Sequence, residues 1–116
     1  MTEERAIRYN GGKPQLSYLL EFPNAIKAVA AVAEMGANKY VRHNWKKGFD
    51  SSSILDSLLR HLVAYQNGED IDPESGLQHL GHAAWNVLAL IENQAIHPEL
   101  DNRYKLVKER GNGETG

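Results

Sequence analysis

The sequence predicts an all-α fold in a single domain. Apolar residues recur at helical spacing over three stretches, near 23–40, 52–66 and 73–96. No run alternates apolar and polar residues as a half-buried strand would, and no segment repeats. At 116 residues the chain is long enough for one core and too short for two.

Composition narrows the function. Thirteen Lys and Arg against 15 Asp and Glu give a formal charge of −2, so no broad basic surface is implied and a stable nucleic-acid complex is not expected. The absence of cysteine excludes disulfides, thiol catalysis and zinc–cysteine sites. The first residues, MTEERAIRYN, are charged and lack an apolar signal region. No apolar run approaches the ~20 residues that span a bilayer. A cytoplasmic protein is the expectation.

Residues 1–15 are polar, and Arg8 to Pro14 carries the glycines, asparagine and proline of a loop. Such an arm is ordinarily solvated, although Lys13 makes it a candidate to fold over a phosphate. Leu16–Phe22 reads as a short apolar turn of helix. Pro23-Asn24 opens the first long helix, with Ile26, Val29, Ala33 and Ala37 as its expected buried stripe and Glu34 on the neighbouring face. Asn38 to Gly48 then combines four cations with Tyr40, Trp45 and the amides of Asn38 and Asn44. Cations suit phosphate oxygens and rings suit a heterocycle, but an ordinary basic loop with Trp45 anchored in the core fits as well. Glycine-rich phosphate motifs are absent.

Ser51-Ser52-Ser53 offers N-caps for the second helix, which is rich in leucine and places His61 near its apolar boundary. Asn67-Gly68 supplies a C-terminal cap. Asp72-Pro73 is expected to start the third helix, with Asp72 as cap and Pro73 in the first turn. On that helix Ser75, His79, His82, Asn86 and Asn93 share one face, and Leu77, Leu80, Ala84, Val87, Leu88 and Ile91 share another. The connecting turn is short, so the two helices should pack antiparallel and bring His61 towards the polar stripe. His97-Pro98 ends the helix. Residues 99–110 are expected to form a short amphipathic helix, and 111–116 a disordered tail; the domain is thus placed at 1–110.

The densest chemistry lies between Leu59 and Ile91. His79 and His82, three residues apart, can share a metal, and Glu69 and Asp72 lie in the turn before them. Imidazole suits Mn, Zn, Fe or Ni, whereas carboxylate suits Mg or Mn. The plainer alternative is that these histidines only cross-link helices through hydrogen bonds.

Gly12-Lys13-Pro14, Gly36-Ala37-Asn38-Lys39-Tyr40, Asn44-Trp45, Arg60-His61-Leu62, the run from Gly68 to Gly76, and His79-Leu80-Gly81-His82-Ala83 occur in the order found in a known family. From Gly11 to Glu92 the chain resembles the phage dATP/dGTP diphosphohydrolases. That family is a branch of the MazG-like all-α nucleotide pyrophosphatases and includes the MazZ-type enzymes of phages with 2-aminoadenine DNA. The resemblance implies a MazG-like four-helix core, completed by formation of a homodimer or homotetramer. It also implies attack by metal-activated water on a purine (deoxy)nucleoside triphosphate, dGTP, GTP or dATP, releasing monophosphate and pyrophosphate.

The wider family holds Mg²⁺ with ExxE and ExxD motifs. Here Leu58-Leu59-Arg60-His61 and His79-Leu80-Gly81-His82 stand in those places. Two ligand sets are therefore open, the histidines themselves or Glu34, Glu69 and Asp72 in their stead, and Mn²⁺ joins Mg²⁺ as the expected ion. The resemblance assigns His79, His82, Glu69, Asp72, His61 and Glu34 to metal. It assigns Lys13, Lys39 and Arg60 to the triphosphate, Tyr40 or Trp45 to the base face, and Asn38 or Asn44 to the base edge. Glu34 or Glu69 would be the general base, and Arg60 would stabilise charge as the bond breaks. Two other readings compete: an HD-type dNTP triphosphohydrolase, which lacks its adjacent His-Asp pair here, and a non-enzymatic helical module with structural histidines.

Overall fold

The computed structural model describes residues 4–104. Among them are three α-helices, α1 (Pro23–Lys39), α2 (Ser51–Gln66) and α3 (His79–Ile96), with 3-10 segments at Leu16–Glu21, Asn44–Lys47 and Pro98–Leu100. The fold is all-α, as the periodicity predicts. No strand is present among the described residues, only an isolated antiparallel bridge between Ile71 and Gln78. Among the described residues no helix is long and apolar enough to cross a membrane.

Local chemistry sets the ends of α2. Its C-terminus is closed by Gly68 at φ 94°. The Gly68 N–H bonds the Tyr65 carbonyl and the Glu69 N–H bonds the Ala64 carbonyl, which is the Schellman pattern expected after Asn67. The N-terminus differs from expectation. The helix begins at Ser51 after Asp50, and Asp50 makes no side-chain cap. The Ser52 N–H instead donates to Asn102 Oδ1 at 2.9 Å, so the cap comes from a residue fifty positions away that local reading could not supply.

The start of α3 is a second correction. Asp72-Pro73 does not open the helix, which begins at His79. Asp72 Oδ1 accepts the Glu74 N–H, the local turn that aspartate favours over helix. Gly76 at φ 76° then turns the chain back. Asp72 N–H meets the Leu77 carbonyl, and His79 N–H meets the Asp70 carbonyl. The acidic segment is thus a closed loop clipped to the foot of α3.

Helices α2 and α3 are antiparallel. Ser57 meets Asn86, and His61, one turn later, meets His82, one turn earlier. Helix α1 packs on another side of α3. A Cβ on Gly81 would lie 2.9 Å from the Ala28 carbonyl oxygen, so glycine is what permits that approach. The contact through Ala28 sets the inward face of α1. Val32 is buried there, whereas Ile26 and Ala33, expected in the stripe, are exposed.

Among the described residues the buried apolar side chains are few: Val32, Ile54, Ala83 and Ala89. The inward face of α3 is mostly its polar stripe, His79, His82, Asn86 and Asn93. Its apolar stripe, Leu80, Val87, Leu88 and Ile91, is 41–56% exposed, and Leu59 and Val63 of α2 are likewise open. The expected helix over 99–110 is represented by the 3-10 turn Pro98–Leu100, with 101–104 irregular. The rest of it and the expected tail lie outside the described residues.

Candidate functional site

Three segments converge at one end of the α2–α3 pair. Helix α2 brings His61, the first turn of α3 brings His79 and His82, and the clipped loop brings Glu69, Asp72 and Ser75. His61 Nδ1 lies 2.9 Å from His79 Nδ1. The His61 ring stacks on His82 with centroids 4.4 Å apart and planes 3° from parallel. His61, His79 and Asp72 each offer a ligand atom, and these atoms lie within 4.8 Å of one another.

The loop holds two of these imidazoles, His79 and His82, through Nε2. His79 Nε2 is 2.7 Å from Glu69 Oε1. His82 Nε2 is hydrogen-bonded to Ser75 Oγ at 2.7 Å and lies 3.7 Å from Asp72 Oδ2. The Glu69 carboxylate, an acceptor when ionised, therefore sets the tautomer of His79. A proton on His79 Nε2 facing the Glu69 carboxylate leaves the Nδ1 lone pair free to face His61.

Burial also favours the neutral form of His61 and of His82. The His61 pKa is lowered by desolvation first and then by His82, with His79 and Arg60 adding to the effect and Asp72 opposing it. The His82 pKa is lowered by desolvation first and by His79, against the pull of Asp72 and Glu74. Neutral imidazole is the form that binds metal.

The donor set fits a divalent ion. Two nitrogens 2.9 Å apart have the separation of adjacent ligands at ~2.0–2.1 Å from one centre. A carboxylate completes the cluster, and a second carboxylate on the far nitrogen of His79 matches the usual support of a metal-ligating histidine.

A cleft of about 990 Å³ adjoins this cluster. His82 links the two, stacking on His61 and lining the cleft. Asn86, Trp85 and Ser57 line it from the helix pair, and Trp45, Arg42 and Lys46 line it from the loop after α1. That loop is pinned. Asn93 Nδ2 donates to the Phe49 carbonyl at 2.9 Å, and Asn93 Oδ1 accepts the Phe49 N–H at 3.1 Å. His97 Nε2 meets the Lys46 carbonyl at 2.7 Å, and that bond, followed by Glu99, raises the His97 pKa.

The structure sorts the predicted residues into groups. His61, His79, His82, Asp72 and Glu69 come together. Glu34, Tyr40, Asn44 and Trp45 line the cleft. Asn38, Lys39, Lys13 and Arg60 are exposed and line neither; Lys39 Nζ lies over the Tyr40 ring, and Arg60 borders a shallow depression with Asp56 and Leu59. Ser75, Asn86 and Asn93 were legible as part of a polar stripe but carried no assigned role. Arg42 and Lys46 belong to the cation-rich stretch read from the sequence but were not singled out within it, whereas Trp85 and His97 lacked a local signal, since their neighbours are distant in sequence.

Against known proteins, residues 3–103 match the family described as dATP/dGTP diphosphohydrolase, N-terminal. A dATP/dGTP diphosphohydrolase of Salmonella phage PMBT28 is 33% identical over 97 residues, covering 84% of this chain and 32% of that protein. The chain thus spans about a third of the length of this relative. No solved structure gives a significant match.

Proposed function

The chain belongs to the dATP/dGTP diphosphohydrolase family, and from that membership and the geometry we propose that it hydrolyses a purine deoxynucleoside triphosphate, dATP or dGTP, to the monophosphate and pyrophosphate. The observation that carries the reading is the His61–His79–Asp72 cluster joined through His82 to a cleft with cations and aromatic rings.

His61, His79 and Asp72 would hold a divalent ion, Mn²⁺ or Mg²⁺, and the nitrogen-rich set favours Mn²⁺. When bound, such an ion supplies Lewis-acid polarisation of a phosphoryl oxygen and a water of lowered pKa. Glu69 orients His79, and Ser75 orients His82. Arg42 and Lys46 line the cleft where negative charge would need offsetting, which makes them better placed for the triphosphate than Lys13, Lys39 or Arg60. Trp45 offers its ring to the base. Of the two candidate general bases, Glu69 is engaged with His79, so Glu34 on the cleft wall takes that role. The open apolar faces of α2 and α3 support assembly as a homodimer or homotetramer.

One observation favours a second reading. A His/His/Asp cluster is also what an HD-type triphosphohydrolase uses, and that chemistry releases intact triphosphate. Incubation with each common NTP and dNTP, with Mg²⁺ or Mn²⁺, followed by ion-exchange separation, decides between them. Monophosphate plus pyrophosphate is the expected product. Nucleoside plus triphosphate would replace this reading with the second, and no turnover under any condition would leave the histidines as scaffold.

A further inference from the structure

We infer that Asn86 reads the substrate's base, its side-chain oxygen accepting a hydrogen bond from an exocyclic amino group. The inference rests on the reading above that the cleft holds a nucleotide. Asn86 follows His82 by one turn on the inward face of α3. It is only 7% exposed, yet it lines the cleft.

Its neighbours fix its amide orientation. One amide atom lies 2.9 Å from the His82 backbone carbonyl and 3.4 Å from Ser57 Oγ. A carbonyl only accepts, so the atom facing it is the nitrogen, and Oδ1 faces the other way. Among the described residues no donor reaches Oδ1. Buried acceptors without a donor are uncommon and call for an explanation. Asn93, two turns further along the same face, shows the saturated alternative, with both amide atoms spent on the Phe49 backbone.

An unused acceptor on a cleft wall suits a ligand that carries an N–H donor. The same cleft presents Trp45 and Trp85, rings on which a base can stack. His82 separates Asn86 from the cluster that would take the phosphate end, so the base falls on the Asn86 side. Adenine presents a 6-amino group and guanine a 2-amino group, whereas thymine and uracil present none. A site built to bond an amino group discriminates strongly against an analogue without it, because the acceptor is left unpaired.

The test compares kcat/KM within substrate pairs. dATP is paired with the triphosphate of purine deoxyriboside, which has hydrogen in place of the 6-amino group. dGTP is paired with deoxyinosine triphosphate, which lacks the 2-amino group. For whichever purine is hydrolysed, the wild-type protein should favour the amino-bearing member by about tenfold or more. In Asn86→Ala that preference should fall to within about twofold, with the loss on the amino-bearing substrate. A folded Asn86→Ala protein with the wild-type preference overturns the inference. So does a wild-type protein that treats both members of its pair alike, a comparison that needs no variant and decides the matter if Asn86→Ala does not fold. Absence of any turnover would instead overturn the hydrolase reading, and this inference with it.

Discussion

The two ends of α3 put polar side chains to opposite uses. At the N-terminal end, His79 and His82 meet His61, so three rings of one kind face each other, with Asp72 beside them. At the C-terminal end, Asn93 and His97 spend their polar atoms on the backbone of the loop from Lys46 to Phe49. The first arrangement gathers potential ligand atoms of His61, His79 and Asp72 within 4.8 Å of one another. The second saturates donors and acceptors and fixes a cleft wall in place. Burial is similar for His79 and Asn93, at 4% and 5% exposed. Burial alone therefore does not mark the functional end; what distinguishes it is whether the partners complete the hydrogen bonding or leave a set of ligands.

The largest expected effect breaks the N-terminal end. His79→Ala or His61→Ala should lower metal-dependent turnover by more than about 100-fold while far-UV circular dichroism stays helical, since losing a ligand exceeds the loss of its support. Wild-type rates in either protein would return the cluster to a structural role. Glu69→Gln probes the support itself. It keeps a hydrogen-bonding group near His79 Nε2 and removes the charge, so metal affinity measured by titration calorimetry should fall by about 10- to 100-fold.

The C-terminal end should respond in stability rather than chemistry. Asn93→Ala leaves the Phe49 N–H and carbonyl without their partner in a partly buried place, which should cost about 1–3 kcal/mol in urea unfolding. A change within experimental error would mean that the Phe49 backbone finds water instead.

The pH dependence separates the two ends by sign. The folded pKa of His97 is raised by the Lys46 carbonyl and then Glu99, so its contribution is fully present below the unfolded value of about 6.5 and is lost as pH rises through the folded value. The folded pKa values of His61 and His82 are lowered, chiefly by desolvation. The unfolded chain then takes up protons first, so stability falls as pH drops from about 6.5 through their folded values. Metal-free protein carrying His97→Gln should lack the gain in stability that wild type shows as pH falls from the folded His97 value to about 6.5, and below that the two should run parallel, in thermal melts at low salt. Curves that are parallel above about 6.5 as well would show that His97 does not gain protons on folding.

The smallest effect on the single chain is expected at the open apolar face. Leu88→Lys lies on a position 53% exposed, and should change unfolding free energy by no more than about 0.5 kcal/mol. In light scattering it should shift any oligomer towards a smaller species, and an unaltered mass would place the assembly surface elsewhere.

Much of the fold was legible because its signals are local. Helical spacing marks α1, α2 and most of α3, and Asn67-Gly68 closes α2 where the sequence predicts. The short connection makes α2 and α3 antiparallel, and that alone carries His61 to His79 and His82. The failures also have local causes. Asp72-Pro73 has the residues of a helix start, but an aspartate bonding two residues ahead and a glycine at positive φ make a loop with the same vocabulary. The apolar stripe of α3 reads as a core face, yet the core takes the polar stripe, because the histidines and amides find partners on α2 and the loops.

The sequence by itself determined the helical class, the pairing of two helices and the cluster of histidines and carboxylates, since each depends on residues within about one hairpin of each other. Only the tertiary structure decided which carboxylate stands beside which histidine, which cations line the cleft, and that Asn86 keeps an acceptor free. Those depend on the rotation of each helix about its axis and on contacts such as Asn93 to Phe49 and Ala28 to Gly81. Such contacts join residues far apart in the chain, and no local preference encodes them.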